Sequence, residues 1–366
     1  MKKAILFFIL VLSNLVFSQD NYYLEGQIGK SKIYLDLDNS SDYLSATYFY
    51  QKSLKNILLE GTRKKDTIIL EVNQEDKIVE KFELIKSSTN SFTGFWTNEK
   101  GDKFSVTLNS INFQEYKINP RIKVENKLDL IKLNLIAFKQ DSISQFQGKK
   151  ILWFSEKHCD SRFFRLGDSF SEKTRALVNP ILEKIHLENT LSQLNCTSRF
   201  DYNTGNGIEY TPNITFLNSN LFGFNVFSSW DCGGAHPDFG GMGYLIDLNN
   251  GKSYSIDDIL AFDKSVTTEK NGGFDAFSKY RTSFFAPKLL ALINERQHFK
   301  KPKEDDGECD YTDLDSWNFP SWSYTQNGIE FTPYFYRAAR SCEEPFLVPF
   351  AKLEKYKNKA FVYSFK

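Results

Sequence analysis

The stretch from Trp230 to Asp238 brings together residue types that can do chemistry. It reads Trp-Asp-Cys-Gly-Gly-Ala-His-Pro-Asp, so a carboxylate, an imidazole and a glycine pair fall within nine residues. One interpretation is a loop that holds Asp231 and His236 against a ligand or a water, since both side chains exchange protons. The other is a strand that ends in a tight turn, where the glycines supply unusual dihedrals and His236 bonds to backbone. We take Trp230, Asp231, His236 and Asp238 as candidate ligand-binding residues, and we predict no catalytic residue.

Other chemical patterns are missing or incomplete. The remaining histidines, His158, His186 and His298, form neither HExxH nor an i,i+4 pair, and no CxxC spacing occurs, so we predict no metal site. The GxSxG, P-loop and dinucleotide glycine patterns are absent, so we predict no cofactor. His158 and Cys159 are adjacent, but a catalytic Cys–His pair normally joins residues that are distant in sequence.

Two further groups of residues have both a binding and a structural interpretation. The acidic runs Glu304–Asp306 and Glu343–Glu344 suit calcium or a basic partner, yet they lack EF-hand spacing and are typical of solvated loops. Five aromatic residues would either stack on sugars, anchor a protein, or fill the core beside a sheet. These are Trp317, Trp322, Tyr324, Tyr334 and Tyr336.

The N-terminal segment predicts export. Lys2 and Lys3 precede a largely apolar run from Ala4 to Val16, and a short polar exit follows at Phe17-Ser18-Gln19. This order is typical of a secretory signal peptide, which we place at residues 1–19. The run is shorter than the about 20 apolar residues that a membrane helix needs, so we expect no membrane span after cleavage. The predicted location is secreted or periplasmic.

Composition narrows the class of partner. Lysines plus arginines equal aspartates plus glutamates, 46 of each, so no overall electric field favours nucleic acid or an anionic membrane. The chain carries 34 phenylalanines and 18 tyrosines, enough to build large cores.

All five cysteines lie at or beyond residue 159. In an exported protein, two disulfides with one thiol left over are more plausible than zinc ligands. We favour Cys309–Cys342 and Cys196–Cys232, although other pairings remain open. On the chain-entropy model, closing the loop from Cys309 to Cys342 contributes roughly 3 to 4 kcal/mol.

Hydrophobic periodicity predicts two domains. Residues 20–115 alternate apolar and polar side chains in short runs, as in Ile33, Leu35 and Leu37, which indicates an all-β antiparallel meander closed or nearly closed into a small barrel or sandwich. Residues 116–150 read as a connector. Residues 151–366 mix helices and strands, with a helix that begins after Ser171 and a second over about 274–298. This pattern predicts an α+β domain with helices on an antiparallel sheet.

The order of motifs in the second domain resembles a known family. Cys232 to Pro237 is similar to its GGAH turn, and Asn250-Gly251-Lys252 with Ile256–Ile259 follows as a "tGk" turn and helix start. Asn327–Phe331 and Cys342–Leu353 are similar to its closing strands. The family is the domain of unknown function shared by RsiV-type anti-sigma factors and the accessory region of certain peptidoglycan deacetylases. The resemblance spans about residues 150–355 and implies an extracytoplasmic α+β module that senses or binds something at the cell wall.

Three functions are compatible with these features. The first is a non-catalytic binding module for a cell-envelope or extracellular ligand, either a wall glycan or a protein; the resemblance suggests lysozyme, which the anti-sigma factor binds. The second is an envelope-polymer hydrolase that uses Asp231 and His236. The third is a structural or assembly protein.

Overall fold

The computed structural model describes residues 21–74, 77–196, 207–233, 236–264, 266–303 and 309–365. Contacts between residues divide the described chain into two units, one built from residues 21–119 with 123–135, the other from 120–122 and most of the described residues from 136 onward. The predicted signal peptide and the acidic run Glu304–Asp306 lie outside the described residues. The predicted fold class, an all-β domain followed by an α+β domain, is confirmed.

The first unit is a closed antiparallel barrel of eight strands. Alternate residues such as Leu35 and Leu37 are fully buried, because successive side chains of a strand point to opposite faces and one face lines the interior. The strands are β1 (Asn21–Ile28), β2 (Ser31–Asp38), β3 (Tyr43–Tyr50), β4 (Ile57–Lys64), β5 (Thr67–Gln74), β6 (Lys77–Ser88), β7 (Ser91–Asn98) and β8 (Lys103–Ser110). Each strand pairs with the next, and β8 pairs with β1, which closes the barrel.

The segment predicted as a connector, 116–150, contains regular structure. Helix α1 (Lys127–Leu135) groups with the barrel, whereas strand β9 (Phe138–Phe146) pairs within the second unit. Lys132 in α1 is fully buried, and its amine donates to Asn56 Oδ1 at 2.6 Å. Burial lowers the pKa of Lys132 to about 7.

The second unit holds three antiparallel sheets and most of the helices. Its further strands are β10 (Lys149–Glu156), β11 (Arg162–Leu166), β12 (Gly207–Leu217), β13 (Leu221–Asp231), β14 (Asp238–Asp247), β15 (Ser253–Tyr254), β16 (Ser321–Tyr324), β17 (Gly328–Thr332) and β18 (Phe346–Pro349). Its helices are α2 (Glu172–Asn195), α3 (Ile256–Ile259), α4 (Glu269–Tyr280), α5 (Ala286–Gln297) and α6 (Phe350–Leu353). The sheets have the orders β11-β10-β9, β12-β13-β14-β15 and β16-β17-β18.

The four-stranded sheet of the second unit is packed on both faces. Phe222 and Phe224 of β13 join a core that includes Leu182 of α2. Leu221 of β13 and Leu245 of β14 point to the other face and join a core with α5 and β16–β18. Because both faces of this sheet are covered, its residues reach the surface mainly at the ends of the strands.

Two helix signals in the sequence correspond to local structure. The Ser171 side chain accepts a hydrogen bond from the backbone N–H of Thr174 at 3.1 Å and caps α2. The single helix predicted over 274–298 is instead two helices joined by a π-turn over 281–285. Pro287 lies in the first turn of α5, where its missing N–H leaves no helix hydrogen bond unmade.

None of the helices in the described part of the chain has the length and apolarity needed to cross a membrane.

Candidate binding cleft

The stretch singled out in the sequence joins the end of β13 to the start of β14. Trp230 and Asp238 lie opposite each other in the antiparallel pair, Asp231 is the last residue of β13, and His236 lies in the connection. Gly233 has a φ of 75°, a left-handed backbone conformation that favours glycine, as the turn interpretation predicts. Gly234 and Ala235 lie outside the described residues.

An open cleft of about 430 Å³ lies beside the first half of β14. Trp230 and Asp238 line it, whereas Asp231 and His236 are not part of its lining. Its remaining wall and floor residues come from β14, β16, β17 and the segments next to β16 and β17. They are Phe239, Gly240, Gly241, Met242, Gly243, Phe319, Pro320, Ser321, Trp322, Thr332, Pro333, Tyr334, Arg340 and Glu343. The structure thus brings two of the four candidate residues into a site with aromatic and charged groups.

Arg340 is the central charged residue of the cleft and is 8% exposed. Its Nη2 lies 3.0 Å from Asp238 Oδ1 and donates to the carbonyl oxygen of Phe239. Its Nη1 lies 3.2 Å from Glu343 Oε1, without the geometry of a hydrogen bond. Within the described residues, neither Nε nor Nη1 of Arg340 has a hydrogen-bond partner. A buried guanidinium with unused donors is costly unless a ligand supplies acceptors.

Aromatic rings hold the Arg340 guanidinium in place. Its central carbon lies 4.5 Å from the centre of the Phe239 ring and 4.6 Å from that of Tyr334. Guanidinium stacking on ring faces is favourable and fixes the orientation of the donors. The remaining donors of Arg340 are therefore presented in a fixed direction.

Glu343 is the most buried carboxylate of the cleft, with its side chain 7% exposed. Burial raises its pKa, and this effect is opposed by the Phe335 backbone N–H, which donates to Oε1 at 2.9 Å, and by the Arg340 charge. Counting Asp238, the cleft holds two carboxylates and one guanidinium. Its local charge therefore disfavours an anionic ligand.

A disulfide fixes each of two walls of the cleft. Cys196, at the end of α2, is bonded to Cys232, two residues after Trp230. Cys309 is bonded to Cys342, which lies between Arg340 and Glu343. These are the two pairs favoured from the sequence, and Cys159 is the cysteine outside both disulfides. Both are compatible with an extracellular or periplasmic location.

The glycines of β14 let neighbouring groups approach the floor of the cleft. A Cβ on Gly243 would lie 1.9 Å from the carbonyl oxygen of Trp322, so the backbone of β16 lies directly against this strand. A Cβ on Gly240 would lie 3.8 Å from the Trp230 ring. The two tryptophans therefore flank the segment that contains Gly241.

The five aromatics with two interpretations separate into two groups. Trp317 and Tyr324 are buried in the core, at 0% and 1% exposure. Trp322 and Tyr334 line the cleft, and Tyr336 is exposed nearby in sequence. Sequence reasoning missed Arg340 and Phe239, because neither belongs to a motif and their contact spans 101 residues.

The cluster around Cys159 is separate from the cleft. His158 Nδ1 lies 2.6 Å from Glu156 Oε1, and the Cys159 thiol lies 3.9 Å from Glu156 Oε2. In the part of the chain that the structure describes, no three His, Cys, Asp or Glu side chains are arranged to hold a metal ion.

Comparison with known proteins adds one structural likeness. No protein-family model and no curated protein matches the chain. Among solved structures, the chain is similar to a DUF3298 family protein from Pseudomonas aeruginosa PAO1, at 15% identity. The match covers 62% of this chain and 94% of that chain, with a TM-score of 0.31. A likeness at this level carries no argument about function, and membership of the RsiV-like family stays a prediction.

Proposed function

We propose that this protein is an exported, non-catalytic binding module that holds an uncharged cell-envelope glycan in the cleft beside β14. The observation that carries the proposal is the combination of Trp230, Trp322 and Tyr334 with the underused donors of Arg340. Flat apolar rings suit the C–H faces of sugars, and fixed polar groups suit their hydroxyls.

The charges of the cleft support a neutral ligand. Asp238 and Glu343 both lie within ion-pair distance of Arg340. An acidic polymer would meet one more carboxylate than cation, whereas hydroxyl groups can donate to the carboxylates and accept from Arg340. The ligand class that fits is a neutral saccharide.

The sequence and the disulfides support the location. A basic start followed by an apolar run is typical of exported proteins, and Cys196–Cys232 and Cys309–Cys342 are stable in an oxidising compartment. Envelope glycans are present in that compartment, so the proposed ligand occurs at the proposed location of the protein.

Binding is favoured over hydrolysis by the placement of the acid–base candidates. Asp231 and His236 lie outside the cleft lining, and the two carboxylates within it are both engaged with Arg340. A glycosidase needs one carboxyl group that donates a proton and a second that acts as a base or nucleophile. The Arg340 charge opposes protonation of Glu343, although burial, the larger effect, raises its pKa, so the placement of Asp231 and His236 outside the lining is what favours binding.

The test is calorimetric titration of the purified protein with chitohexaose and, separately, with lysozyme. We expect chitohexaose to bind, and Trp230→Ala to weaken binding by at least about 10-fold, since buried aromatic anchors dominate binding energy. The matched control is Trp153→Ala, whose indole donates to Ser144 Oγ away from the cleft. Equal loss in both variants, or binding of lysozyme without any glycan, contradicts the proposal. Sugar release that disappears in His236→Ala would establish the hydrolase instead.

A further inference from the structure

The outer edge of β14 exposes backbone hydrogen-bonding groups on the floor of the cleft. The carbonyl of Phe239 accepts from Arg340, and the N–H of Asp247 donates to the carbonyl of Lys252, so both residues point away from β13. The register between β13 and β14 has no shift. Because the N–H and C=O of alternate residues in an antiparallel strand point to the same side, Gly241 also directs both groups outward.

Gly241 is the exposed position of this edge. On one side of Gly241, Arg340 occupies the carbonyl of Phe239, and Arg337 Nη1 donates to that of Pro237 at 3.0 Å. On the other side, the backbone of β16 lies against Gly243. No other described residue bonds to the outward N–H or C=O of Gly241, and Gly241 itself is exposed. An extended peptide needs several consecutive ladder positions, and Arg337 and Arg340 already occupy the carbonyls on one side of Gly241.

The spacing of these two groups suits a sugar. In an extended residue the backbone N and O lie about 3 Å apart, as standard bond lengths and strand dihedrals require. Staggered polar atoms on adjacent ring carbons of a pyranose are also about 3 Å apart. One of them can accept from the Gly241 N–H while the other donates to the Gly241 C=O.

We propose that Gly241 recognises a donor–acceptor pair on adjacent carbons of a sugar ring, either a 2,3-diol or a 2-acetamido group beside O3. This inference rests on the proposed glycan-binding function and specifies which glycans the cleft takes. The unbonded Nε and Nη1 of Arg340 supply a second set of donors in the same cleft. Internal residues of 1,4-linked chains carry one pair or the other, because positions 2 and 3 are free of the linkage. Internal residues of 1,3-linked chains lack such a pair, because O3 carries the linkage and O2 and O4 are not on adjacent carbons.

The experiment compares three hexasaccharides by calorimetry: chitohexaose, cellohexaose and laminarihexaose, whose linkages are 1,4, 1,4 and 1,3. We expect at least one 1,4-linked chain to bind about 10-fold or more tightly than laminarihexaose. Chitohexaose alone would identify the acetamido pair, and both chains together the shared donor–acceptor pair. Equal binding of all three overturns the inference and leaves the proposed function intact, whereas binding of none overturns the proposed function.

A pair of variants isolates the backbone N–H. Gly241→Pro removes this donor, and proline is tolerated at edge positions whose N–H faces outward. Gly241→Ala keeps the donor, and its Cβ would lie 3.6 Å from Ser321 Oγ, an ordinary contact. We expect the proline variant to lose about 3- to 10-fold in affinity for the 1,4-linked chain while laminarihexaose is unaffected, and the alanine variant to lose less than the proline variant because it keeps the N–H. Equal loss in both variants, with unchanged melting temperatures, overturns the role of the N–H.

Discussion

Gly243→Ala should destabilise the second unit by pushing apart two sheets that meet at the cleft. The new Cβ would lie 1.9 Å from the Trp322 carbonyl oxygen and 2.9 Å from its carbonyl carbon. Restoring normal contact requires a displacement of more than about 1 Å. Backbone atoms cannot rotate away as a side-chain end can, so the whole of β16 must move.

The magnitude follows from what that movement disturbs. The Thr215 hydroxyl donates to the Tyr324 carbonyl at 2.7 Å, and the Asn225 amide donates to Ser323 Oγ at 3.3 Å, so both bonds join the sheets near this point. Overpacking typically costs about 1 to 3 kcal/mol, and strained hydrogen bonds add about 1 kcal/mol each. We expect a loss of about 3 kcal/mol, which lowers the melting temperature of a domain of this size by about 6 to 12 °C.

The assay is differential scanning calorimetry of the parent, Gly243→Ala and Gly241→Ala. In Gly241→Ala the Cβ meets no atom closer than 3.6 Å, and we expect a change within about 1 kcal/mol of zero. The barrel is a separate unit, so a transition that belongs to it should stay in place in both variants. If the two variants melt at the same temperature, the close packing of β16 on Gly243 is refuted.

Three further outcomes are expected. Replacing Cys309 and Cys342 with serine should lower the free energy of unfolding in urea by about 2 to 5 kcal/mol. It should also weaken glycan binding, because the disulfide anchors the cleft wall that carries Arg340, and unchanged affinity would contradict this anchoring. Burial, followed by a nearby arginine charge, lowers the pKa of His186 to about 3, so between about pH 6.5 and 3 only the unfolded state gains a proton at this residue and stability falls as the pH falls. From pH 7 to 4.5, the free energy of unfolding of His186→Phe should therefore fall by about 2 kcal/mol less than that of the parent. Parallel plots of unfolding free energy against pH for the two proteins would exclude this. Asp257→Asn should cost about 3 to 5 kcal/mol in urea unfolding, because it leaves a buried arginine without its 2.5 Å ion pair; a loss under 1 kcal/mol would show that the pair is open to solvent.

Local patterns in the sequence were sufficient for the secondary structure of the barrel. Ile33, Leu35 and Leu37 alternate with polar residues, and a strand converts that alternation directly into an inner and an outer face. The cap at Ser171 is equally local, because its partner is three residues away. The pattern did not show that β8 returns to β1, since closure depends on strand twist and register summed over the barrel.

Longer-range features required the tertiary structure. Trp317 and Trp322 are of one residue type and five positions apart, yet the first is fully buried and the second lines the cleft. Their sequence neighbourhoods do not distinguish them, because burial depends on which element packs above each ring. A single helix predicted through Pro287 became two helices, since a π-turn places the proline in a first turn where it is tolerated.

The sequence by itself determined the antiparallel elements, the helix cap and the short stretch that supplies Trp230 and Asp238. These depend on interactions between residues a few positions apart, which residue type and spacing encode directly. The tertiary structure alone decided that Arg340 reaches Phe239 and Asp238 from about 100 residues away, and that Gly241 is left exposed on the edge of β14. Such a site depends on the relative placement of distant strands, and that placement is set by the packing of two cores against one sheet.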